Sequence, residues 1–404
     1  MAREPVIDDL SDRLESNRER ITEWMSEKRA SLPTPIYASV DIRDAGWKVA
    51  AVDANAFPAG FNNVSKDDRN RMSIALGRWF DSNYDGVTSV HLWPESHTRN
   101  KGYVENLRAL KAIVEGSGRS FTVGSPNLNG LSFVEGLNGS LELSNVSMND
   151  GVTVGGEKPD LVLLNNDLTD APIPELVSQR HVPNQEMGWH RRRKSNHFTH
   201  AQPFIDEVAE ILDLDPWLLG THWFVSPEKC LEKEVCITEL AAQVDDCIQF
   251  VQSKYDSFEI EAKPRLFLKN DSGTYGLGII EIDEGEQLFN LSKRKINKLT
   301  YGKGGQHAED FLIQEGVPTN LQVGEGLVEP CFYGIGGDAA ATFYRYNTKK
   351  GNLDNLNTPS TQFLGREEIF EMGGQEIVSR IGSWQTLVAE IAMLGMASEI
   401  QSTL

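Results

Sequence analysis

Residues 265–282 read Arg265-Leu266-Phe267-Leu268-Lys269-Asn270-Asp271-Ser272-Gly273-Thr274-Tyr275-Gly276-Leu277-Gly278-Ile279-Ile280-Glu281-Ile282. An apolar run ends on a lysine, a polar glycine-rich tip follows, and a second apolar run returns. This is the pattern of a β-hairpin with strands 265–269 and 279–282. Glycines in such a tip let backbone N–H groups approach phosphate oxygens with no Cβ in the way, and Lys269 at the strand end can set its ammonium on the same anion. A turn that only reverses the chain has the same glycine content, so the flanking sequence decides. A Walker loop needs GxxxxGK[ST] and a dinucleotide fingerprint needs GxGxxG, each opening a helix; this segment has neither spacing and is followed by a strand.

Downstream lie an apolar strand at 311–317 that carries Gln314 and Glu315, a strand at 342–346 with Arg345, the polar segment Asp354-Asn355-Leu356-Asn357-Thr358-Pro359, and a long helical stretch over 375–399. Upstream, Ile7, Leu10, Leu14, Ile21, Trp24 and Met25 recur at helical spacing until Pro33 and Pro35, which predicts one leading amphipathic helix. Strand-like runs follow at 36–42, 47–52, 87–93, 120–123 and 160–164, separated by helices starting near Ser65, with Asp68 as its capping partner, and near Thr98. Strands alternating with helices imply an α/β lobe with a largely parallel sheet. Ligands of such a sheet gather beyond the strand carboxyl ends, here 53–63, 94–100, 125–130 and 165–167, which are rich in Asn, Asp, Glu and Arg. The expected organisation is a helix over 1–35, an α/β substrate lobe over 36–175, and nucleotide-binding lobes over 176–404.

Composition bounds the function. At 404 residues the chain has room for two or three lobes of roughly 100 to 200 residues each. A formal charge of -20 disfavours nucleic acid, no window approaches a membrane span, and the charged N-terminus lacks a secretory core, so a cytoplasmic location is expected. Cys230, Cys236, Cys247 and Cys331 have no paired ligand spacing and are expected to be reduced, packed thiols. His190, His197 and His200 match no common metal pattern. Against this acidity, the run His190-Arg191-Arg192-Arg193-Lys194 stands out as a local anion site or a solvated basic face. Small molecules are the expected partners, and a homo-oligomer is left open.

Taken with the elements after it, the stretch from Lys269 to Gly278 resembles the glycine-loop strand pair of ATP-grasp enzymes. The resemblance implies an ATP-grasp architecture behind an N-terminal Rossmann-like, pre-ATP-grasp α/β lobe. It implies Lys269, Ser272, Gly273, Gly276 and Gly278 around the nucleotide phosphates and Gln314, Glu315 and Val317 at the adenine edge. Lys194 becomes the first phosphate lysine, and Arg345 faces the transferred phosphate. The family's metal segment, [ED]-x-N-x-x-[GP], falls on 355–359, with Asn355, Asn357 and Asp354 as the Mg2+ ligands. Asn355 stands where many relatives have Glu and Pro359 comes one position early, so the charged ligand is open among Asp354, Asp338 and Glu329, with Asp354 preferred.

The segments 52–63, 94–100 and 188–198, with the glycine loop, look like the proteobacterial glutamate-cysteine ligase family over nearly the whole chain. That likeness implies ATP and Mg2+ as cofactors, glutamate and cysteine as substrates, and γ-glutamylcysteine, formed through an acyl phosphate, as the product that opens glutathione synthesis. Zwitterionic substrates need cations for carboxylate, from Arg43, Arg99 or Arg191, and acids for ammonium, from Asp53 or Glu95; Asn55, Asn62 and Thr98 share the same strand-end loops. Each of these also has an ordinary reading as a surface ion pair or turn residue. The alternatives are another amino-acid ligase such as a glutathione synthetase, and a regulatory protein that binds ATP without turning it over.

Overall fold

The computed structural model describes residues 5–95, 100–148, 151–231, 233–272, 279–301, 309–380 and 384–404. The expected leading helix is two, α1 (Pro5–Ser16) and α2 (Arg18–Ser31). Between them, Asn17 leaves the helical region at φ -111, ψ 14, and its side-chain amide donates to the Arg13 carbonyl at 2.9 Å, competing with the backbone for that acceptor. Leu10, Leu14, Ile21 and Met25 are buried.

A six-stranded sheet forms the centre. Its path is β18 (Gln362–Leu364), β17 (Asp338–Asn347), β16 (Gly326–Ile335), β1 (Ala38–Asp44) and β2 (Val49–Asn55), with β15 (Gln322–Val323) also on β16. Every pairing is antiparallel. A smaller parallel sheet runs β10 (His181–Val182), β9 (Leu161–Asn165), β3 (Ser89–Pro94), β4 (Ser120–Val123). The expectation of a largely parallel sheet in this lobe holds for the last three of the five early strand runs and is corrected for the first two, which belong to the antiparallel sheet, beside strands from the other end of the chain. The short turn 45–48, closed by the Ala45 N–H on the Lys48 carbonyl at 2.9 Å, allows only an antiparallel return.

The helices α3 (Lys66–Asn83) and α4 (Lys101–Gly116) pack on each other beside the parallel sheet. Ser65 Oγ accepts from Asp68 N at 3.1 Å, as expected of the cap. Asn100 caps α4, so this helix starts later than read from sequence; Thr98 lies outside the described residues. Two small hairpins, β5 (Phe133–Glu135) with β6 (Ser140–Glu142) and β7 (Val146–Ser147) with β8 (Thr153–Val154), fill the return to β9.

The third sheet is antiparallel: β11 (Trp223–Pro227), β14 (Asp310–Glu315), β12 (Leu266–Asn270), β13 (Ile280–Ile282). The expected hairpin is present, with Leu266 opposite Ile282 and Leu268 opposite Ile280; its tip, with Gly273, Gly276 and Gly278, lies outside the described residues. With α6 (Glu234–Ser257) and α7 (Lys293–Thr300) this sheet closes its own apolar core. Here the expectation of four reduced cysteines is corrected: Cys230 and Cys236 form a disulfide, because the turn at 228–231 folds back on the first turn of α6 and brings their Cα atoms to 4.7 Å. Cys247 and Cys331 are buried free thiols.

The remaining helices are α5 (Lys194–Leu212), α8 (Arg366–Glu371), α9 (Gln375–Arg380) and α10 (Trp384–Gln401). The last is buried on most sides and packs on α5, β1 and β2. Gly395 makes that crossing possible, since a Cβ there would stand 2.8 Å from Ala201 Cβ. No helix among the described residues is long and apolar enough to cross a membrane.

Candidate functional site

Alternation along the central sheet gives it two chemically different faces. Val40, Ile42, Phe332 and Tyr344 join the core with α10. The other face lines a cavity of about 610 Å³, bounded also by the third sheet and the carboxyl ends of the parallel sheet. Strand register lays its side chains out in rows. One row is Phe343, Cys331, Asp41, Asp53 across β17, β16, β1 and β2. The next toward β18 is Phe363, Arg345, Glu329, and on the other side lie Tyr333, Ser39 and Asn55.

Arg345 donates to Asp41 at 2.7 Å and to Glu329 at 2.5 Å, while Arg43 Nε meets the other Glu329 oxygen at 2.6 Å. Burial pushes the Asp41 carboxyl up despite Arg345, with Glu329 and Asp53 adding to it. Burial acts on Glu329 too, but Arg43 and Arg345 outweigh it and hold that group below its usual range. Among the described residues, Asp41, Glu329 and Cys331 place ligand-type atoms within 4.8 Å of one another.

Two lysines converge from separate elements. Asp271, just past β12, accepts from Ser195 N at 2.8 Å and receives the Lys194 N–H on its carbonyl at 2.9 Å, pinning the start of α5 beside the end of β12. Lys194 and Lys269 therefore enter the same space. Lys194 Nζ lies 2.6 Å from Asp53 and 4.9 Å from the Trp189 ring centroid. Lys269 donates to Gln314 Oε1 at 2.6 Å and to the Val52 carbonyl at 3.4 Å, a carbonyl presented by the bulge where β2 slips register against β1. Burial lowers the Lys269 ammonium to about 8. Burial would raise Asp53, but Lys194 and Lys269 overcome it and hold the carboxyl below its usual value.

Of the other residues singled out from sequence, Asn55, Asn62, Glu95, Val317, Asn355 and Asn357 line the cavity. Lys269 and Asn357 thus face one space. The carboxylate of Glu315 is turned into the core, where Lys48 Nζ, Trp217 Nε1 and His222 N donate to it at 2.7 to 3.1 Å; burial lowers Lys48 to about 8 against that attraction. The guanidinium of Arg43 is spent on Glu329 and on the Asn352 and Asp354 carbonyls, so it braces the 352–357 segment. Asp354 turns its carboxylate to Gly351 N at 2.8 Å. Ser272 bonds to Asn270 at the base of the hairpin tip. Arg191 is exposed and paired with Glu186, outside the cavity lining; its neighbour Arg192 is the buried one. Thr98 and Arg99 lie outside the described residues. His190, His197 and His200 bond to the Leu168 carbonyl, Glu399 and Ser398 respectively.

Asp41 and Asn106 were not picked out from sequence, and Asn165 only as the first residue of the strand end 165–167. Asp41 carried a usable signal: a charged residue alternating with Val40 and Ile42 marks a strand whose second face meets something polar. Asn106 and Asn165 are buried and bonded to each other at 3.0 Å; Asn106 accepts from Gly60 N at 2.8 Å and Asn165 donates to the Pro58 carbonyl at 2.9 Å. They fasten the loop after β2 to the parallel sheet, a tertiary role with no local sequence pattern.

The sequence matches the GshA family, Glutamate-cysteine ligase, over residues 11–400. A solved structure described as a gamma-glutamylcysteine synthetase of Methylobacillus flagellatus KT has a TM-score of 0.88 at 30% identity, covering 98% of this chain and 96% of that one. A glutathione synthetase-like effector of Globodera pallida and D-alanyl-alanine synthetase A of Vibrio cholerae align at TM-scores of 0.40 and 0.32, each at 9% identity, over 90% and 73% of this chain and 87% and 81% of theirs. No curated protein sequence matches. With a whole-length match behind a cavity of converging lysines, arginine and carboxylates, the chain belongs to the GshA family of glutamate-cysteine ligases.

Proposed function

We propose that this ligase works in the ATP-grasp manner, with ATP held between the β12–β13 hairpin and the central sheet. The γ-phosphoryl group passes to the glutamate side-chain carboxylate, releasing ADP. The α-amine of cysteine then attacks the acyl carbon, phosphate leaves, and the nitrogen loses its proton, giving γ-glutamylcysteine. The observation that carries this reading is the meeting of Lys194, Lys269 and Arg345 with Asp41, Asp53 and Glu329 in one cavity. A carboxylate repels nucleophiles until phosphorylation supplies a leaving group, and the phosphoryl step asks mainly for positioning and charge neutralisation. Lys194 and Lys269 are suited to the phosphates and Arg345 to the transferred group.

The donor set fits a hard divalent cation, since Asp41, Asp53, Asn55 and Glu329 all offer oxygen. Asp53-Ala54-Asn55-Ala56-Phe57-Pro58 satisfies [ED]-x-N-x-x-[GP] with an acid first and proline in place, and Asp53 faces Asp41 across the β1–β2 pair. We therefore assign the magnesium site to these residues, with Asn355 and Asn357 elsewhere on the cavity lining, and leave Asp354 out. Magnesium there would neutralise phosphate charge, while Lys194, now on Asp53, would turn to the phosphates.

The test is product analysis by mass spectrometry after incubation with magnesium, ATP, glutamate and cysteine, with each omitted in turn. The expected result is dipeptide and ADP only when all are present. Release of AMP would mean adenylation and would overturn the acyl-phosphate route.

A further inference from the structure

The cavity has two apolar walls with the charged groups between them. Phe267, Ile279 and Val317 form one, on the hairpin side. Tyr333, Phe343 and Phe363 form the other, with ring centroids 5.4 Å apart for the first two and 5.7 Å for the last two. The Tyr333 hydroxyl donates to the Ala59 carbonyl, so its ring rather than its polar end is offered to the cavity. Phe363 is 43% exposed, a large side chain left open at the cavity.

Of the groups the proposed reaction brings in, the triphosphate, the α-carboxylates and the ammonium all demand hydrogen bonds or countercharge. The adenine ring and the thiol-bearing side chain gain most from an apolar wall, since the two methylenes of glutamate lie between groups that need hydrogen bonds or countercharge. The hairpin wall takes the base on that same reading, which leaves the second wall for the thiol. We propose that Tyr333, Phe343 and Phe363 form the subsite for the side chain of the acceptor amino acid, and that they select a thiol over a hydroxyl.

The placement follows from register. Phe363 stands opposite Arg345 across β17 and β18, and Phe343 lies two residues before Arg345 on the same face. An amine attacking a phosphorylated carboxylate in front of Arg345 therefore carries its one-carbon side chain onto these rings. Sulfur is polarizable and packs favourably against aromatic edges. A serine hydroxyl placed there would give up water without a partner.

The experiment compares cysteine, serine and 2-aminobutyrate as acceptors for the wild type, Phe363→Ala and Phe363→Leu, reading kcat and KM for each substrate. Phe363 is on an edge strand and half open, so its loss spares the fold; Phe343→Ala, with a melting curve, is the second probe. The expected result is that Phe363→Ala raises the KM for cysteine and for 2-aminobutyrate by roughly tenfold, narrows the preference for cysteine over serine, and leaves the KM for ATP and glutamate unchanged, with Phe363→Leu recovering part of the loss. Unchanged discrimination in both alanine variants, or a KM change falling on glutamate or ATP, overturns the subsite. A wild type that forms no dipeptide from glutamate and cysteine fails the underlying reaction instead, a separate outcome.

Discussion

At the scale of single residues, the two lysines differ in what they await. Lys194 already holds an anion, Asp53, whereas Lys269 rests on neutral oxygens and its ammonium is lowered to about 8. Phosphate prefers the protonated form, so in the free enzyme Lys269 loses its grip as pH rises through about 8. The KM for ATP should climb above that pH, and Lys269→Arg, which stays protonated, should flatten the rise; a flat wild-type profile to pH 9.5 would refute it. Lys269→Ala should lower turnover by roughly 10² at saturating ATP. The metal assignment is separable in the same assay. Asp53→Asn should raise the magnesium needed for half-maximal rate far more than Asn355→Ala does, and the reverse order would return the site to 355–357. Lys269 stood out as a cation ending an apolar strand, whereas Lys194, at the close of the basic run, and Arg345, inside a later strand, were singled out through the resemblance to ATP-grasp enzymes. The metal pattern occurs twice, and the stretch at Asp53 is preferred to that at Asn355 because the acid and the proline fall in place there.

At the scale of elements, the hairpin could be read because its glycine tip separates two apolar runs, and the α3 cap because Ser65 and Asp68 have fixed spacing. The partner sheet of β1 and β2 could not, since period-two alternation reports that a strand is half-buried and not which distant strand lies beside it. One element carries a pH prediction. His91, central in β3, is fully buried, its Nε2 donating to the Gly124 carbonyl at 3.0 Å and its Nδ1 accepting from Thr122 Oγ1 at 2.8 Å. Burial lowers it from 6.5 to about 4. The unfolded chain thus binds a proton that the folded one refuses, so the contribution is intact above pH 6.5 and lost as pH falls to about 4, by roughly 3 kcal/mol. Thermal melts of His91→Gln should show a shallower decline across that window; equal slopes would place the acid sensitivity elsewhere.

At the scale of the molecule, the last helix, the basic run and the strand proposed to carry the metal meet at one buried ion pair. Arg192 donates to both Glu399 oxygens at 2.8 and 3.0 Å and to the Ala54 carbonyl at 2.6 Å, while His197 Nδ1 lies 2.7 Å from Glu399. Burial would raise Glu399, but Arg192 and His197 hold it at about 2, so its contribution is complete above pH 4.5 and fades as pH falls toward 2. Because Ala54 stands between Asp53 and Asn55, the same guanidinium fixes the backbone of the proposed magnesium segment. Stability and function then respond differently to its loss. Arg192→Met strands a buried carboxylate and should cost about 3 to 5 kcal/mol, whereas Arg192→Met with Glu399→Leu removes both charges and should recover most of that stability. Neither variant restores the donor to Ala54, so both should show a raised magnesium requirement in the ligase assay. If the double variant regained wild-type magnesium dependence along with its melting temperature, Arg192 would serve only to attach the last helix, and the geometry of Asp53 and Asn55 would have to be set by β1 alone.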